Sequence, residues 1–279
     1  MGLIDLHVHT SASDGRYSPV ELVALAAGKG LEALAITDHD TLDGLSEALE
    51  AARAFPALHL LGGIEISSHS PGSEVHILGY FVRLQDAKLL NHLALMRNSR
   101  TERAGAMVEK LRGLGFDICL ERVREIAGEG NLGRPHIAQA LLEKGYVSSL
   151  QEVFTLYLGQ GGAAYVDRHK LTPAEAVNLI TGAGGLAVLA HPTTVANLYD
   201  LVPRLKAAGL AGIEVYYKDY AEERRQELAK YARRHRLIAT GGSDFHGIDE
   251  TTEVMLGGAG VPMQAYEDLM RLAKERGCI

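Results

Sequence analysis

The chain has 279 residues, 47% of them hydrophobic and 23% charged, and its formal net charge is −7. These values are typical of a soluble globular protein large enough for an α/β barrel with an insertion, and they argue against disorder and against broad, nonspecific coating of nucleic acid. With only two distant cysteines, no secretory-type leader and no stretch of membrane-spanning length, we expect a cytoplasmic protein without a membrane partner.

The first third of the chain alternates between short apolar segments and helix patterns. In chain order these are Leu3–Val8, Pro19–Lys29, Leu31–Thr37, Leu42–Phe55, Leu58–Ser67 and Glu74–Phe81. This alternation is the rhythm of a β/α barrel, and it gives Glu74–Phe81 the place of a helix. Ser18-Pro19-Val20-Glu21 and Thr172-Pro173-Ala174-Glu175 each combine an N-cap, a proline and a glutamate, which predicts two helix starts.

The middle of the chain, residues 85–168, lacks strand alternation. It predicts helices at Lys88–Leu114, Leu120–Ala127, Pro135–Lys144 and Leu150–Leu158. This segment holds 11 Lys/Arg and 10 Asp/Glu, a net charge of +1 in an acidic chain, so it is the better candidate for contacting an anion. We predict a barrel domain of residues 1–84 and 169–279, and a helical insertion of residues 85–168 that contributes to the substrate site.

The strand and helix alternation resumes after the insertion. The predicted elements are helix Pro173–Thr181, strand Leu186–Ala190, helix Leu201–Ala208, strand Gly212–Tyr216, helix Ala221–His235, strand Leu237–Thr240 and helix Met263–Arg276. The chain therefore predicts an α/β barrel interrupted by helices.

Side chains that commonly bind metals recur where strands are predicted to end. His7 and His9 are one residue apart, so alternation along a strand points both imidazoles to the same face. A single histidine on an apolar strand is more often a hydrogen-bonded core residue, and it is the recurrence that favours a metal site. Because barrel strands place their C-terminal ends around one mouth, these side chains should meet. The set is His7, His9, Asp38, His39, Glu65, His76, His191, Asp244 and His246.

The order of these motifs resembles that of a known family. The motifs are Asp5-Leu6-His7-Val8-His9-Thr10, Ser13-Asp14-Gly15, Thr37-Asp38-His39-Asp40, Gly63-Ile64-Glu65, His76, Ala190-His191-Pro192 and Ser243-Asp244-Phe245-His246. As an ordered set over residues 3–82 and 170–250, they resemble the PHP family, named for polymerase and histidinol phosphatase. The resemblance implies a distorted (β/α)7 TIM-like barrel that holds two to three divalent ions and hydrolyses phosphate esters.

The resemblance also implies a ligand set. It assigns a first ion to His7, His9, Glu65 and Asp244, a second to bridging Glu65, His76 and His191, and a third to Asp14, His39 and His246. Mixed imidazole and carboxylate ligands suit Mn²⁺, our first expectation, or Zn²⁺ or Fe²⁺, better than Mg²⁺. We expect a metal-bridging water of lowered pKa to attack phosphorus in line, without a protein nucleophile.

Asp38 and Asp40 are left outside the ligand set as candidates for orienting His39, although a turn or helix-cap role for Asp40 is as reasonable.

Three residues are candidates for binding the substrate. Arg134 and His136, in Gly133-Arg134-Pro135-His136, stand at a predicted helix start where a guanidinium and backbone N–H groups can hold an anion. Taken alone, this would be an ordinary capped helix. The insertion, however, resembles that of a PHP subfamily that removes the 3′-phosphate from nucleoside 3′,5′-bisphosphates or degrades short RNA from its 5′ end. Arg16 is a third candidate, although a solvated loop arginine is the simpler interpretation.

We therefore expect a metal-dependent phosphatase that converts nucleoside 3′,5′-bisphosphates to nucleoside 5′-monophosphates and phosphate. The alternatives are a 5′–3′ exoribonuclease on short 5′-phosphorylated RNA, and a histidinol phosphatase, against which the insertion argues. From other classes, a catalytically inactive PHP binding domain and a metal-storage protein are disfavoured by the complete ligand set and the Arg-bearing insertion. Without Trp and with 6% aromatics, an extended base-stacking platform is not expected, so an RNA substrate would be short or held at its end, and no double-stranded DNA is expected.

Overall fold

The structure is a computed structural model that describes residues 3–128, 132–167, 171–248 and 254–279. The described residues up to Leu90 and from Leu171 onward form one compact unit, and Asn91–Asp167 form a second. No helix in the described ranges has the length and apolar character needed to cross a membrane.

The larger unit is built on one sheet. Its strands are β1 (Leu3–Val8), β2 (Leu31–Ile36), β3 (His59–Ser70), β4 (Ser73–Tyr80), β5 (Leu186–Leu189), β6 (Gly212–Tyr217) and β7 (Ile238–Gly242), paired in that order. The segment after β7 returns to β1, where the His9 N–H donates to the Phe245 carbonyl at 3.0 Å and the Asp244 N–H donates to the His7 carbonyl at 2.9 Å. The sheet is thus a nearly closed seven-stranded barrel, which confirms the predicted α/β, TIM-like fold.

The helix that the alternation predicts at Glu74–Phe81 is wrong, because this segment is strand β4. It pairs antiparallel with both β3 and β5, whereas the other neighbouring strands run parallel. The physical reason is that burial alternates from one residue to the next, as it does in a strand. Val75 and Ile77 are fully buried, and His76 between them is only partly buried. A tight turn containing Gly72, at φ +89°, joins β3 to β4 and makes a hairpin where the rhythm expects a crossover.

The helices follow the sequence pattern closely. They are α1 (Pro19–Gly28), α2 (Leu45–Ala52), α3 (Ala87–Gly113), α4 (Leu120–Ala127), α5 (Arg134–Glu143), α6 (Leu150–Val153), α7 (Pro173–Gly182), α8 (Leu198–Ala207), α9 (Glu222–His235) and α10 (Met263–Arg276). A π-helical turn, Phe154–Leu158, continues α6, and a 3₁₀ turn, Pro192–Thr194, follows β5. Both predicted capping boxes form: Ser18 and Thr172 receive the N–H of the glutamate three residues on, whose carboxylate accepts the cap N–H.

Apolar and polar side chains alternate along strand β1, so that one set packs in the hydrophobic core and the other lies at the site. Ile4 and Leu6 are buried in a hydrophobic cluster that also takes in Leu269 of α10. Asp5 and His7 alternate with them and are equally buried. Burial of polar side chains on this scale requires partners, and the site supplies them.

The helical unit has a hydrophobic core of its own. Met107 and Leu111 of α3 pack in one cluster with Ile137 and Leu141 of α5. The end of this unit is fastened to α3 through Arg103, whose Nε donates to the carbonyl of residue 166 at 2.7 Å. Its described residues, 91–128 and 132–167, therefore have the buried apolar contacts of a compact unit.

Candidate metal centre

The site starts at the C-terminal end of β1. His7 and His9 are both buried, with ring centroids 5.1 Å apart. His7 Nε2 lies 3.1 Å from Glu65 Oε2. His9 Nε2 lies 3.2 Å from the same oxygen and 3.1 Å from Asp244 Oδ1. The first and last strands of the barrel thus bring two imidazoles and two carboxylates together.

Glu65, on β3, is the centre of the arrangement and is 1% exposed. Its Oε1 lies 2.9 Å from His76 Nδ1 and 3.1 Å from His191 Nε2. Its Oε2 faces His7 and His9, as described, and also His39 Nδ1 at 3.2 Å. One carboxylate therefore faces five imidazoles from four parts of the barrel, with its two oxygens turned to different sets.

Each of the nine predicted ligand residues contacts another member of the set. Three groups have ligand atoms that all lie within 4.8 Å of one another: His7, His9, Glu65 and Asp244; His39, Glu65 and His76; and His9, Asp14, His39 and His246. The first group has the composition that the family resemblance implies, and the third adds His9. The second holds His39 where the prediction has His191. The assignment of individual ions stays a prediction.

His9 provides the test of whether these residues suit a cation. Its ring nitrogens are buried and make no hydrogen bond of acceptable geometry within the described residues, although carboxylate oxygens lie 3.1 and 3.2 Å from Nε2. Buried polar atoms are normally hydrogen-bonded, so this one needs another kind of partner. Imidazole nitrogen and carboxylate oxygen converging on one point are the donors that Mn²⁺, Zn²⁺ and Fe²⁺ take, and the residues fit such an ion.

In the absence of a cation, the carboxylates raise the pKa of three of the imidazoles, those of His7, His9 and His76. Burial lowers the pKa of His9, but Asp244 and Glu65 outweigh it and raise that pKa to about 10. Burial opposes the charged form of His7 as well, yet Glu214, Glu65 and Asp244 raise its pKa well above the ordinary value. By contrast, burial lowers the pKa of His39 to about 4. Protons thus occupy the place that cations would take.

We therefore expect metal loading to release protons. At pH 8 the metal-free protein should carry protons at least on His7 and His9, and a metal ligand must lose its proton, so Mn²⁺ binding should release two or more protons and weaken as the pH falls. Calorimetric titrations with Mn²⁺ in buffers of different ionisation enthalpy measure this number. A binding heat that does not depend on the buffer would contradict the expectation.

Two of the predicted ligands have an unusual backbone. His191 has φ 25° and ψ 62°, and Asp244 has φ 52°, a region that residues other than glycine seldom occupy. Such conformations cost about 1–3 kcal/mol each and persist where surrounding contacts hold them. Here the Asp244 N–H donates to the His7 carbonyl, and the His191 N–H donates to Glu214 Oε2 at 2.7 Å. The strain is held in place by hydrogen bonds to the site.

Glu214 is a site residue that no motif in the sequence marks. It lies within β6 and is fully buried, with Oε1 3.1 Å from His7 Nδ1. Because a carboxylate only accepts, this contact fixes the proton of His7 on Nδ1 and leaves Nε2 for the metal group. The available signal was a lone glutamate inside the apolar run Gly212–Val215, where an unpaired charge would be costly.

Asp38 and Asp40 connect loops of the site. The Asp38 carboxylate accepts the Thr10 N–H and hydroxyl, both at 2.7 Å, and the Ser13 hydroxyl at 2.6 Å. It therefore holds the loop that joins His9 to Asp14. Asp40 accepts the N–H of residue 67 on β3 at 2.8 Å. None of these hydrogen bonds goes to His39, so a role of Asp38 and Asp40 in orienting His39 stays a prediction.

Asp244 has two further partners that the sequence does not reveal. The Tyr217 hydroxyl donates to Asp244 Oδ2 at 2.7 Å, and Lys218 Nζ donates to the same oxygen at 3.2 Å. Burial, followed by the charge of Asp244, raises the pKa of Tyr217, so its hydroxyl keeps the proton it donates. Nothing in the local pattern at the end of β6 marks either residue, because the contact is made only when β7 lies beside β6.

The two substrate-binding candidates of the helical unit have local contacts at the start of α5. The Arg134 guanidinium lies over the Phe154 ring at 5.7 Å and reaches the Leu158 carbonyl at 3.5 Å. His136 Nδ1 accepts the Gly133 N–H at 3.1 Å and so caps the helix. These contacts belong to the helical unit, and binding of substrate by Arg134 and His136 stays a prediction.

Arg16, the third candidate, is joined to the metal centre through its backbone. Its N–H donates to the His246 carbonyl at 2.7 Å, and its guanidinium lies 5.9 Å from the centroid of the Tyr17 ring. The residue therefore follows Asp14 in a loop attached to a candidate ligand. Its contact with a phosphate also stays a prediction.

This barrel, with a cluster of histidines and carboxylates at one end, has the features of a metal-dependent phosphoesterase. The family model described as PHP domain matches residues 5–275. The chain belongs to the PHP family, and it is a hydrolase acting on phosphate esters.

Several relatives resemble the chain over most of its length. It is 36% identical over 255 residues to the 3′,5′-nucleoside bisphosphate phosphatase of Chromobacterium violaceum, covering 90% of this chain and 89% of that protein. Identity is also 36% over 249 residues to the 5′-3′ exoribonuclease Rnm of Escherichia coli, with 88% and 85% covered. The chain is also 36% identical over 253 residues to the phosphoribosyl 1,2-cyclic phosphate 1,2-diphosphodiesterase of Eggerthella lenta, covering 87% of this chain and 94% of that protein.

The fold is also similar to that of a solved structure. A candidate metal-dependent phosphoesterase of Bifidobacterium adolescentis matches with a TM-score of 0.84 and 30% sequence identity, over 96% of this chain and 95% of that one. The similarity thus extends over both the barrel strands and the helical segment between β4 and β5.

Proposed function

We propose that this phosphoesterase removes the 3′-phosphate of nucleoside 3′,5′-bisphosphates, giving the nucleoside 5′-monophosphate and inorganic phosphate. The observation that carries the proposal is that any two of the three ligand groups share one residue, which is Glu65, His9 or His39. Cations held by these groups would therefore lie close to one another, where they could bind the oxygens of one phosphate group. The likeness to the Chromobacterium violaceum phosphatase supports the choice of substrate.

Divalent ions bound by these residues would supply Lewis acidity and neutralise charge on the phosphate oxygens. The protein's part is to hold the ligand atoms in position. Glu214 orients His7 through its Nδ1–H, and Tyr217 orients Asp244 through Oδ2. We propose Mn²⁺ as the ion, with Zn²⁺ or Fe²⁺ as alternatives, and assign no protein nucleophile.

A 5′–3′ exoribonuclease is the second candidate function. It is favoured by the likeness to Rnm, which has the same identity as the likeness to the phosphatase. Both activities break a P–O bond of a phosphate ester, so the substrate distinguishes them. A monoester releases inorganic phosphate, whereas the diester of an RNA chain releases a nucleotide.

The test is a comparison of substrates with Mn²⁺-loaded protein. We would measure kcat/KM on four substrates side by side, with chelator-treated protein as the control. The substrates are adenosine 3′,5′-bisphosphate, a 5′-phosphorylated RNA pentamer, phosphoribosyl 1,2-cyclic phosphate and histidinol phosphate. We expect the highest kcat/KM on the bisphosphate, with AMP and phosphate as products. Stepwise shortening of the RNA at a higher kcat/KM would favour the exoribonuclease, and preference for either remaining substrate would refute both candidates.

Arg134→Ala tests the predicted contact with substrate. Losing one charge-assisted hydrogen bond costs about 1.5–3 kcal/mol, so KM for the bisphosphate should rise by about 10- to 150-fold with a smaller change in kcat. Steady-state kinetics measure this effect. Arg122→Ala is the matched control, because this exposed arginine of the same unit pairs with Glu125 and Glu143. Unchanged KM and kcat would show that Arg134 does not bind the substrate.

A further inference from the structure

Lys218 places a positive charge beside the candidate metal centre. It comes directly after β6, and its Nζ lies 3.2 Å from Asp244 Oδ2 with 22% of the side chain exposed. The other oxygen of that carboxylate, Oδ1, faces His9 Nε2 at 3.1 Å and His7 Nε2 at 3.5 Å. Asp244 thus turns one oxygen to the predicted metal group and the other to protein donors.

The lysine is not needed to satisfy the oxygen that it contacts. Tyr217 already donates to Asp244 Oδ2 over a shorter distance, 2.7 Å, and does so without adding a charge. A hydroxyl is therefore sufficient to orient this carboxylate. The ammonium lies 5.4 Å from the centroid of the Tyr217 ring, which keeps it near the end of the strand.

A fixed cation beside a site for divalent cations is unfavourable by itself, because like charges repel. The Asp244 carboxylate lies between them, but its single negative charge is shared among Lys218, Tyr217 and the predicted metal group, so a second anion at this place would offset the remaining repulsion. An ammonium offers three donors, and Asp244 Oδ2 uses only one of them. The partly exposed position of Lys218 leaves it accessible to an anion entering the metal centre from solvent.

We propose that Lys218 binds a non-bridging oxygen of the substrate phosphate and makes the site prefer phosphomonoesters to diesters. A monoester carries a charge of about −1.5 to −2 at pH 7 and three acceptor oxygens, so an added cation favours it over a singly charged diester. The inference rests on the proposed function, whose substrate is a phosphomonoester, and names the residue that selects this ester class.

The test compares Lys218→Met, which removes the charge, with Lys218→Arg, which keeps it. The substrates are p-nitrophenyl phosphate and bis(p-nitrophenyl) phosphate, a monoester and a diester with the same leaving group. We expect Lys218→Met to lower kcat/KM by about 10- to 100-fold on the monoester and by less than about threefold on the diester. Lys218→Arg should recover a large part of the loss, and exposed Lys230→Met on α9 is the matched control.

Two binding measurements on the same variants separate this role from a structural one. Calorimetry should show weaker binding of inorganic phosphate to Mn²⁺-loaded Lys218→Met, with Mn²⁺ affinity equal to the wild type or slightly higher. A fall in Mn²⁺ affinity would show that the lysine only positions Asp244, and equal losses on both esters would overturn the specificity. If the wild-type protein fails to hydrolyse adenosine 3′,5′-bisphosphate, the proposed function fails, whereas the phosphate-binding comparison still decides the role of Lys218.

Discussion

Glu65→Gln is expected to lower kcat/KM on a phosphomonoester by about 10³-fold. The amide keeps the size of the side chain but removes the negative charge that faces five imidazoles. Divalent ions held here would stabilise the transition state by several kcal/mol, and losing about 4 kcal/mol of that stabilisation corresponds to about 10³-fold in rate. Because Glu65 belongs to two of the three ligand groups, we expect Mn²⁺ stoichiometry to fall as well.

Kinetics and metal analysis after desalting would measure both effects. Glu50→Gln, at an exposed glutamate on α2, is the matched control and should behave as the wild type. Circular dichroism and thermal melting of the metal-free proteins would show whether the fold is kept. If Glu65→Gln retains full activity with its ions bound, the central role of this carboxylate is wrong.

Glu214→Gln is expected to reduce Mn²⁺ affinity or kcat/KM by about 10- to 100-fold, the usual effect of losing a residue that orients a metal ligand. The carboxylate accepts two donors, with one oxygen near His7 Nδ1 and the other at the His191 N–H. A glutamine has one acceptor oxygen, so its NH₂ group must face one of these donors. Either His7 loses its fixed tautomer or the strained backbone at His191 loses a hydrogen bond.

The measurement for this variant is a Mn²⁺ titration together with kcat/KM on adenosine 3′,5′-bisphosphate. Glu32→Gln is the control, because Glu32 is an exposed glutamate on β2. Wild-type affinity and activity in Glu214→Gln would mean that His7 and His191 are held by other contacts. A loss of activity at unchanged metal affinity would still support orientation, since a ligand can stay bound in a poorer geometry.

Local sequence pattern was enough to predict most of the fold. Capping motifs at Ser18 and Thr172 specify helix starts through hydrogen bonds made within three residues, and both form. The predicted last helix, Met263–Arg276, has the observed bounds. Strand β4 was the main error, because a rhythm counted along the chain cannot distinguish a hairpin from a crossover. The alternation at Val75–Ile77 contained the better signal.

The predicted site was limited in a different way. The family motifs mark residues at strand ends, and the structure brings these together. Three further residues contribute through contacts between neighbouring strands, and a single sequence does not reveal such contacts. They are Glu214, Tyr217 and Lys218. The position of His39 beside Glu65 also follows from pairing of β3 with the loop after β2, and not from its motif. Which carboxylate serves which imidazole is a property of three-dimensional packing.

The barrel closes by joining residues from the two ends of the chain, which are synthesised at different times. The Asp5 carboxylate accepts the N–H of Ser243 and of Gly257, 238 and 252 residues further along the chain. His7 and His9 therefore leave the ribosome roughly 12 to 50 s before Asp244 at ordinary translation rates of about 5–20 residues per second. A nascent chain has histidines but lacks the carboxylate that completes their group, so we expect metal to be acquired after translation, as the last strand joins the first.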